Sequence, residues 1–193
     1  MLPVIDEAFH HYPMIGGNGS LIAKEGKLIL SHSFSVSEFE EIKKLITRYG
    51  ATYLIDGEWD YAYTGSEGHP ILQNLDSARL AKMVRLEELD SVVKVLFLTS
   101  DNMEELAEKL SKLLVYVNKH GNENVLDISP SEINKWSALR YLGIKEHIYI
   151  VFGNDANDSS MFKNALHTVM IGSHEHLVPL SKEKIPLDRD YER

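Results

Sequence analysis

The feature that most constrains the fold is an apolar run that breaks into a polar turn and is followed by an apolar-faced helix. Ile148 to Phe152 are β-branched and aromatic without interruption, as in a strand covered on both faces of a mostly parallel sheet. Gly153 ends the predicted strand, and beyond the turn four apolar residues share one helical face: Met161, Phe162, Ala165 and Leu166. Ligands of open α/β sheets bind outside the carboxyl ends of strands, so the turn is a candidate site.

The turn itself crowds short, oxygen-bearing side chains together. They are Asn154, Asp155, Asn157 and Asp158. Carboxylate and amide oxygens at this density suit a hard cation such as Mg²⁺, or a phosphate ester held through one. The same residues are also typical of a turn that only caps its own helix. The composition of the turn leaves both interpretations open.

Composition indicates an ordinary globular chain. With 193 residues, it can form one good core or two small domains. It contains no cysteine, which excludes disulfides and thiolate metal sites and favours a reducing compartment. The start has no secretory pattern, and no apolar run approaches the roughly 20 residues that a membrane helix needs. These observations predict a cytoplasmic protein with no membrane partner.

Charge and histidine content exclude two further classes of function. The formal net charge of -9 argues against a general nucleic-acid binder, because phosphate backbones are held by clustered Lys and Arg. The pairs His10-His11 and His174-x-His176 lie in stretches without a third well-spaced ligand. They are therefore predicted to be structural or solvated histidines and not a zinc site.

The middle of the chain predicts a compact α+β module. An amphipathic helix from Ser35 to Tyr49 carries a capping box at Ser37-x-x-Glu40. A second helix is predicted from Asp101 to Leu114. The predicted strands are Thr52 to Ile55, Tyr61 to Tyr63, Val92 to Thr99, Val115 to Asn118 and Asn124 to Ile128, the last two around a turn at Gly121-Asn122. Residues Ala78 to Val84 allow a further short helix.

The segments on either side carry turn and helix signals. Gly16 to Ser20 is predicted to be a plain turn before a hairpin at Glu25-Gly26, or a place where backbone approaches a ligand. Ser129-Pro130-Ser131-Glu132 predicts a helix start, with Lys135 in its first turns, where a lysine is usually solvated. His167 to Ile171 predicts a final parallel strand, and Ser181 to Arg193 an irregular tail.

Three of these stretches resemble motifs of the haloacid dehalogenase (HAD) phosphatases, in their Cof-type, sugar-phosphatase-like branch. Gly153-Asn154-Asp155-Ala156-Asn157-Asp158, with Met161 after it, is similar to the fourth motif, Gly-Asp-x-x-Asn-Asp. Ser129-Pro130, Asn134-Lys135 and Ala138-Leu139 are similar to the third motif. Asn18-Gly19-Ser20 is similar to an Asn-Gly-Ala turn before the cap. Asn154 departs from the family, which usually has aspartate there.

The resemblance implies an α/β fold with a HAD-like Rossmannoid core and an inserted α+β cap. The core would comprise residues 1–34 and 128–193, incomplete at its N-terminal side, and the cap residues 35–127. By the same resemblance, Lys135 would contact the phosphoryl group as a catalytic residue, and Asn18, Gly19 and Asn157 would bind phosphate or substrate. Asn154 and Asp158 would hold Mg²⁺, with Asp155 able to replace Asn154 if the loop shifts by one residue. The implied substrate is a small phosphorylated metabolite such as a sugar phosphate.

Two family motifs are missing from the sequence. The family begins with a strand ending in Asp-x-Asp-Gly-Thr, whose first aspartate attacks phosphorus, and a second strand ends in a phosphate-holding Ser or Thr. Met1 corresponds to a point inside the family's core, so we expect a natural truncation, a misassigned start codon or an unusual variant. If the genomic DNA upstream encodes, in frame, a strand ending in Asp-x-Asp, this would favour the interpretation that the chain is the major part of a phosphatase. Otherwise the chain is a non-catalytic phosphate-ligand or protein-binding module.

The same absence predicts exposed edges in the core sheet. An unpaired strand edge is a template for association, so the chain is expected to form homo-oligomers through these edges unless the core pieces close on each other.

Overall fold

The computed structural model describes residues 7–75, 80–120 and 124–187, which divide into two compact units, Met1–Ile133 and Asn134–Arg193. Residues 7–34 belong to the first unit. The division into a core of residues 1–34 and 128–193 and a cap of residues 35–127 stays a prediction. Residues Glu7–Phe9 form a single 3₁₀ turn. The predicted turn at Gly121-Asn122 and residues 78–79 of the short helix lie outside the described residues. Residues 80–84 are not helical.

The first unit opens with a small antiparallel sheet. Its strands are β1 (Met14–Gly16), β2 (Leu21–Lys24) and β3 (Lys27–Ser31), in that spatial order. A 3₁₀ turn at Gly17–Gly19 joins β1 to β2. Glu25 and Gly26 both have positive φ, of 52° and 73°, which is the geometry of a tight hairpin turn. The predicted hairpin is confirmed.

A five-stranded antiparallel sheet forms the rest of the first unit. Its spatial order is β5-β4-β6-β8-β7. One face packs on two helices through a core that includes Ile55, Val95 and Phe97. The strands are β4 (Thr52–Asp56), β5 (Tyr61–Tyr63), β6 (Lys94–Thr99), β7 (Val115–His120) and β8 (Val125–Pro130), and the helices of this unit are α1 (Val36–Arg48), α2 (Ile71–Leu75) and α3 (Met103–Leu110).

The capping box of α1 lies two residues before the predicted one. The capping box is formed by Ser35 and Glu38, and the predicted box at Ser37 and Glu40 is wrong. Ser35 has extended backbone angles outside the helix, where its hydroxyl oxygen can accept the Glu38 N–H. Ser37 lies inside the first turn, so its hydroxyl cannot cap. The later helix α3 is shorter than the predicted helix, and Leu114, the last residue of that prediction, lies beyond its end and is 77% exposed.

The helix start predicted at Ser129 is also wrong. Ser129 and Pro130 continue β8, where they pair with Tyr116 and Val115 of β7. Glu132 has a φ of 65°, in the left-handed region, which an α-helix excludes. The next helix, α4 (Lys135–Tyr141), begins after Asn134, whose side chain accepts the Ser137 N–H. Strand pairing to β7 therefore outweighs the local cap signal.

The second unit is a parallel sheet flanked by short helices. Its strands, in the spatial order β11-β10-β9, are β9 (Ile150–Gly153), β10 (His167–Ile171) and β11 (Glu183–Ile185). Helix α5 (Ser159–Asn164) follows the polar turn. The parallel pairing of β9 with β10 and the α/β fold are as predicted. Strand β11 lies within the tail that was predicted to be irregular, which corrects that prediction.

Strand β9 is not covered on both faces. Val151 and Gly153 are buried, whereas the alternate residues Ile150 and Phe152 are 60% and 58% exposed. The apolar run therefore predicted the strand correctly and its two-sided burial wrongly, because packed side chains cover only one face. Within the described part of the chain, no helix has the length and apolarity to cross a membrane.

Candidate functional site

Lys135 lies at the first position of α4 and is tied to the polar turn after β9. Its Nζ donates to Asn157 Oδ1 at 2.8 Å and to Asp158 Oδ1 at 2.5 Å. The lysine side chain is 27% exposed and that of Asp158 is 5% exposed. A buried carboxylate next to a lysine holds the ammonium group in one place. The result is a fixed cation at the carboxyl end of a parallel strand.

Asp158 organises the turn through its other oxygen. Oδ2 accepts the backbone N–H groups of Asn154 at 2.9 Å and of Asp155 at 3.2 Å. The Asp155 side chain accepts the N–H of Ala156 at 2.6 Å, and Asp155 and Asp158 also form a reciprocal capping box. Both carboxylate oxygens of Asp158 are therefore engaged. The capping interpretation and the ligand-holding interpretation apply to the same residues.

Two aromatic rings support the site from the side of α4 and β9. Trp136 stacks on Tyr149, with ring centroids 5.7 Å apart and an interplanar angle of 17°. The Tyr149 hydroxyl donates to the Met161 carbonyl oxygen at 2.7 Å. Burial, with a smaller contribution from Glu146, raises the pKa of Tyr149 to about 12. Tyr149 therefore remains a neutral donor, and with Trp136 it anchors α4 and α5 around the turn.

The oxygen atoms of the turn match Mg²⁺ in type but do not form a complete ligand set. Asn154 is exposed, and its side chain forms no hydrogen bond within the described residues. His174 Nε2 lies 3.6 Å from Asp155 Oδ1. In the described ranges, no group of three or more His, Cys, Asp or Glu side chains could hold a metal ion. Magnesium usually keeps several waters and takes one or two protein carboxylates, so the donors here fit part of such a site.

Asn18 and Gly19 lie in the first unit. Both are buried, and their backbones have positive φ of 59° and 112°. The Asn18 Nδ2 donates to Asp127 Oδ1 at 2.9 Å. Asp127 is fully buried and its Oδ2 lies 3.2 Å from Lys94 Nζ. The side-chain amide of Asn18 is thus held by a carboxylate.

The structure brings three of the six predicted site residues into one hydrogen-bonded cluster: Lys135, Asn157 and Asp158. Asn154 joins them through its backbone N–H alone. Sequence reasoning missed Asp127 and Lys94. A signal was present for Asp127, since it is one charged residue in the apolar run Val125-Leu126-Asp127-Ile128.

Comparison with known proteins places the chain in a family. The family model described as haloacid dehalogenase-like hydrolase matches residues 1–183. No curated protein matches the chain.

Several solved structures are similar in fold. SMU.1108c from Streptococcus mutans has a TM-score of 0.74 and 14% identity over 93% of this chain and 73% of its own. A haloacid dehalogenase-like hydrolase from B. subtilis has a TM-score of 0.73 and 15% identity over 91% of this chain and 75% of its own. BT4131, described as a HAD subclass IIB sugar phosphatase, has a TM-score of 0.70 and 16% identity over 88% of this chain and 68% of its own.

At these identities the structural likeness shows the fold, whereas the family match covers most of the chain. The expected HAD-like architecture is confirmed. The chain belongs to the haloacid dehalogenase-like hydrolase family.

Proposed function

We propose that the chain carries the phosphate-binding part of a Mg²⁺-dependent phosphatase that acts on a small phosphorylated metabolite such as a sugar phosphate. The observation that carries the proposal is the Lys135 ammonium, held by Asn157 and Asp158 at the carboxyl end of β9. Phosphoryl transfer needs little covalent chemistry from the protein beyond positioning and charge stabilisation. A cation that is already fixed stabilises developing phosphoryl charge without reorganising at the moment of reaction.

In this proposal Lys135 touches the phosphoryl group, and Asn157, Asn18 and Gly19 contribute to phosphate or substrate binding. Asn154 and Asp158 are the metal-side residues, and the exposed Asn154 side chain offers its neutral Oδ1. When bound, Mg²⁺ supplies neutralisation of phosphate charge. Asp158 already accepts three hydrogen bonds, so in the metal-free protein its main action is to orient Lys135 and the turn.

The proposed chemistry also requires a nucleophile. Covalent phosphoryl transfer in this family needs a positioned carboxylate, and the sequence has no strand ending in Asp-x-Asp-Gly-Thr. Asp158 cannot take that role while both of its oxygens are engaged by Lys135 and backbone amides. The same observation favours the second candidate function, a non-catalytic module that binds a phosphate ligand or a protein.

We expect the chain to show no turnover of a generic aryl phosphate in the presence of Mg²⁺. Colorimetric assay of the wild-type chain and of Lys135→Ala, purified in parallel, tests this expectation. Activity equal in both preparations would come from a contaminating phosphatase. Activity that is present in the wild type and abolished by Lys135→Ala would contradict it and show that the chain contains its own nucleophile.

Asn154→Asp is expected to tighten Mg²⁺ binding about tenfold, because hard cations favour carboxylates over amide oxygens. Isothermal titration of the chain with MgCl₂ measures the effect. Asn102→Asp is the matched control, since aspartate replaces asparagine equally well as the N-cap of α3. Unchanged or weaker Mg²⁺ affinity in Asn154→Asp would count against Asn154 as a metal-side residue.

A cytoplasmic protein without nucleic-acid or membrane partners fits the acidic charge and the absence of cysteine. Self-association through a sheet edge is supported by β9, which is a terminal strand of its sheet within the described residues. Its Ile150 and Phe152 present an apolar face beside that edge.

We expect the wild-type chain to sediment as a dimer or larger species at micromolar concentration. Phe152→Lys should shift it towards monomer, because a charged side chain on an edge strand opposes strand pairing. Leu114→Lys is the control, since Leu114 is even more exposed and lies in the first unit. A wild-type monomer, or an equal effect of both variants, would contradict association through β9.

A further inference from the structure

The two faces of the five-stranded sheet in the first unit differ in chemistry. Side chains alternate along each strand, so Asp56, Lys94 and Asp127 point to the face opposite α1 and α3. On that face they continue the rows of Leu54, Leu96 and Val125, which form a separate small apolar cluster. Cross-strand register pairs Asp56 directly with Lys94, and Asp127 with Leu96. Three charged groups therefore meet at the end of a largely apolar face.

Asp127 is the centre of this group. It is fully buried, and its two oxygens contact Asn18 Nδ2 at 2.9 Å and Lys94 Nζ at 3.2 Å. Lys94 is itself only 19% exposed. A buried carboxylate is tolerated when it is paired and hydrogen-bonded, and it is costly when either partner is lost. Asp127 thus holds Asn18 and is in turn stabilised by Lys94.

The Asn18–Asp127 hydrogen bond joins two distant points of the chain. Asn18 belongs to the turn that precedes the five-stranded sheet, and Asp127 lies on β8, the last strand of that sheet in the sequence, 109 residues later. Two backbone hydrogen bonds continue the connection, from His32 N–H to the Ser20 carbonyl and from Phe34 N–H to the Val92 carbonyl. The contact therefore ties the segments that lead into and out of the module.

Asp56 adds a second carboxylate beside a single ammonium group. The groups that face it are Lys94 from β6, Asp127 from β8 and the phenol of Tyr61, its register partner on β5. Its carboxyl group forms no hydrogen bond within the described residues. Burial raises the pKa of Asp56 to about 6, Lys94 opposes the rise and Asp127 adds to it. The Asp56 carboxylate is therefore charged near neutral pH, where it attracts Lys94 and repels Asp127, and it is neutral in mild acid.

The geometry points to a proton-sensitive clasp formed by Asn18, Lys94 and Asp127, with Asp127 as the positioning residue for Asn18 and for the Gly17–Gly19 turn. Protonation of Asp56 removes its repulsion of Asp127 and leaves Lys94 to Asp127 alone. The clasp then holds the turn more firmly. Ionisation of Asp56 adds a second negative charge that attracts Lys94, and this weakens the clasp.

Amide hydrogen exchange measured by NMR on the full chain tests the clasp. The readout is the protection of the Ser20 N–H, which donates to Gly17 at 3.0 Å, corrected for the intrinsic effect of pH on exchange. We expect this protection to fall about tenfold between about pH 5 and about pH 8 in the wild type. In Asp56→Asn, which cannot ionise, it should stay constant across the same range.

Two comparisons separate a clasp from a general effect on stability. Val95, buried at the centre of the same sheet, reports unfolding of the whole unit, so its protection should change with pH by an amount that differs from the change at Ser20. Ser20→Ala is the matched variant in the turn, because it removes a buried hydroxyl that forms no hydrogen bond in the described residues and leaves the clasp intact. It should retain the pH dependence, now read at the backbone amide of the substituted residue.

Asp127→Asn keeps an oxygen that can accept from Asn18 but loses the charge that Asp56 opposes, so it should abolish the pH dependence. Should this variant fail to fold, Asp56→Asn decides the matter alone, because it removes only a partly paired charge. A flat profile in the wild type, the same slope in Asp56→Asn, or equal changes at Ser20 and Val95 would each overturn the clasp. None of these outcomes bears on phosphatase activity.

Discussion

Gly153→Ala is expected to destabilise the second unit by about 3 kcal/mol, at the upper end of the cost of overpacking a core. A Cβ at this position would lie 2.6 Å from Phe162 Cε2, 2.7 Å from Asp158 Oδ2 and 2.8 Å from Asp158 Cβ. Phe162 is 3% exposed, and the Asp158 carboxylate is held by Lys135 and two backbone amides. Neither neighbour can move away without breaking other contacts, so glycine is required here by close approach.

Urea unfolding can report on the second unit selectively. The chain has two tryptophans, and Trp136 is buried in the second unit, stacked on Tyr149. In a Trp59→Phe background, fluorescence therefore follows unfolding around the site. Gly68→Ala is the control, because nothing lies within 4 Å of a Cβ at that position, and a stability change within about 0.5 kcal/mol is expected. Equal stability of Gly153→Ala and the background protein would show that the contact is relieved by rearrangement.

The arrangement around Gly153 was predictable from sequence because its determinants are close together in the chain. An apolar run, a glycine, an oxygen-rich turn and an apolar helix face predict strand, turn and helix without reference to any other part of the molecule. The structure forms β9, the turn and α5 in that order. The family resemblance added Lys135, 23 residues before Asp158, and the two side chains do meet. What their contact does chemically remains a proposal.

Features set by distant partners were not predictable in the same way. Ser129 carries every local sign of a helix cap, yet it is an interior strand residue because β7 offers a paired backbone. Ile150 and Phe152 read as core residues but stay exposed, since burial depends on which elements pack against β9 and not on the strand's own composition. The residue pattern of a strand is a local property, whereas the choice of its partner strand and the burial of its faces depend on the whole fold.

The group around Asp127 shows the same limit in the first unit. The sequence marks Asp127 as unusual, because it is charged within an apolar strand, but gives no indication of its partners. Those partners come from β6 and from a turn 109 residues away. A buried charge in a predicted strand is therefore a useful signal that a partner exists, even though the partner cannot be named before the register is known.

Asp56→Asn is expected to stabilise the first unit above neutral pH and to lose this advantage in acid. The pKa of Asp56 is raised from 3.8 to about 6 in the folded chain, mainly by burial. Between these two values the folded state keeps a proton that the unfolded state releases, so the ionised carboxylate costs stability as the pH rises towards 6. The cost is complete above the folded pKa and absent below the unfolded one. Asparagine does not ionise and avoids it at every pH.

The size of the effect follows from the shift. Each pKa unit corresponds to about 1.4 kcal/mol, and Asp56 retains some exposure, so we expect a change of about 1 to 3 kcal/mol. The quantity to measure is the difference in unfolding free energy between Asp56→Asn and the wild type, from urea titrations at about pH 4, pH 6 and pH 8. The new amide group can change the unfolding free energy by a constant amount, and comparing the difference between pH values removes that contribution.

Asp90→Asn is the control, since Asp90 is an exposed carboxylate in the same unit and its difference from the wild type should not vary in this way. The difference for Asp56→Asn should grow from its value near pH 4 and level off near pH 8. A difference that is constant with pH would mean that Lys94 offsets the effect of burial on the Asp56 carboxylate, and one that shrinks as the pH rises would mean that Lys94 outweighs it.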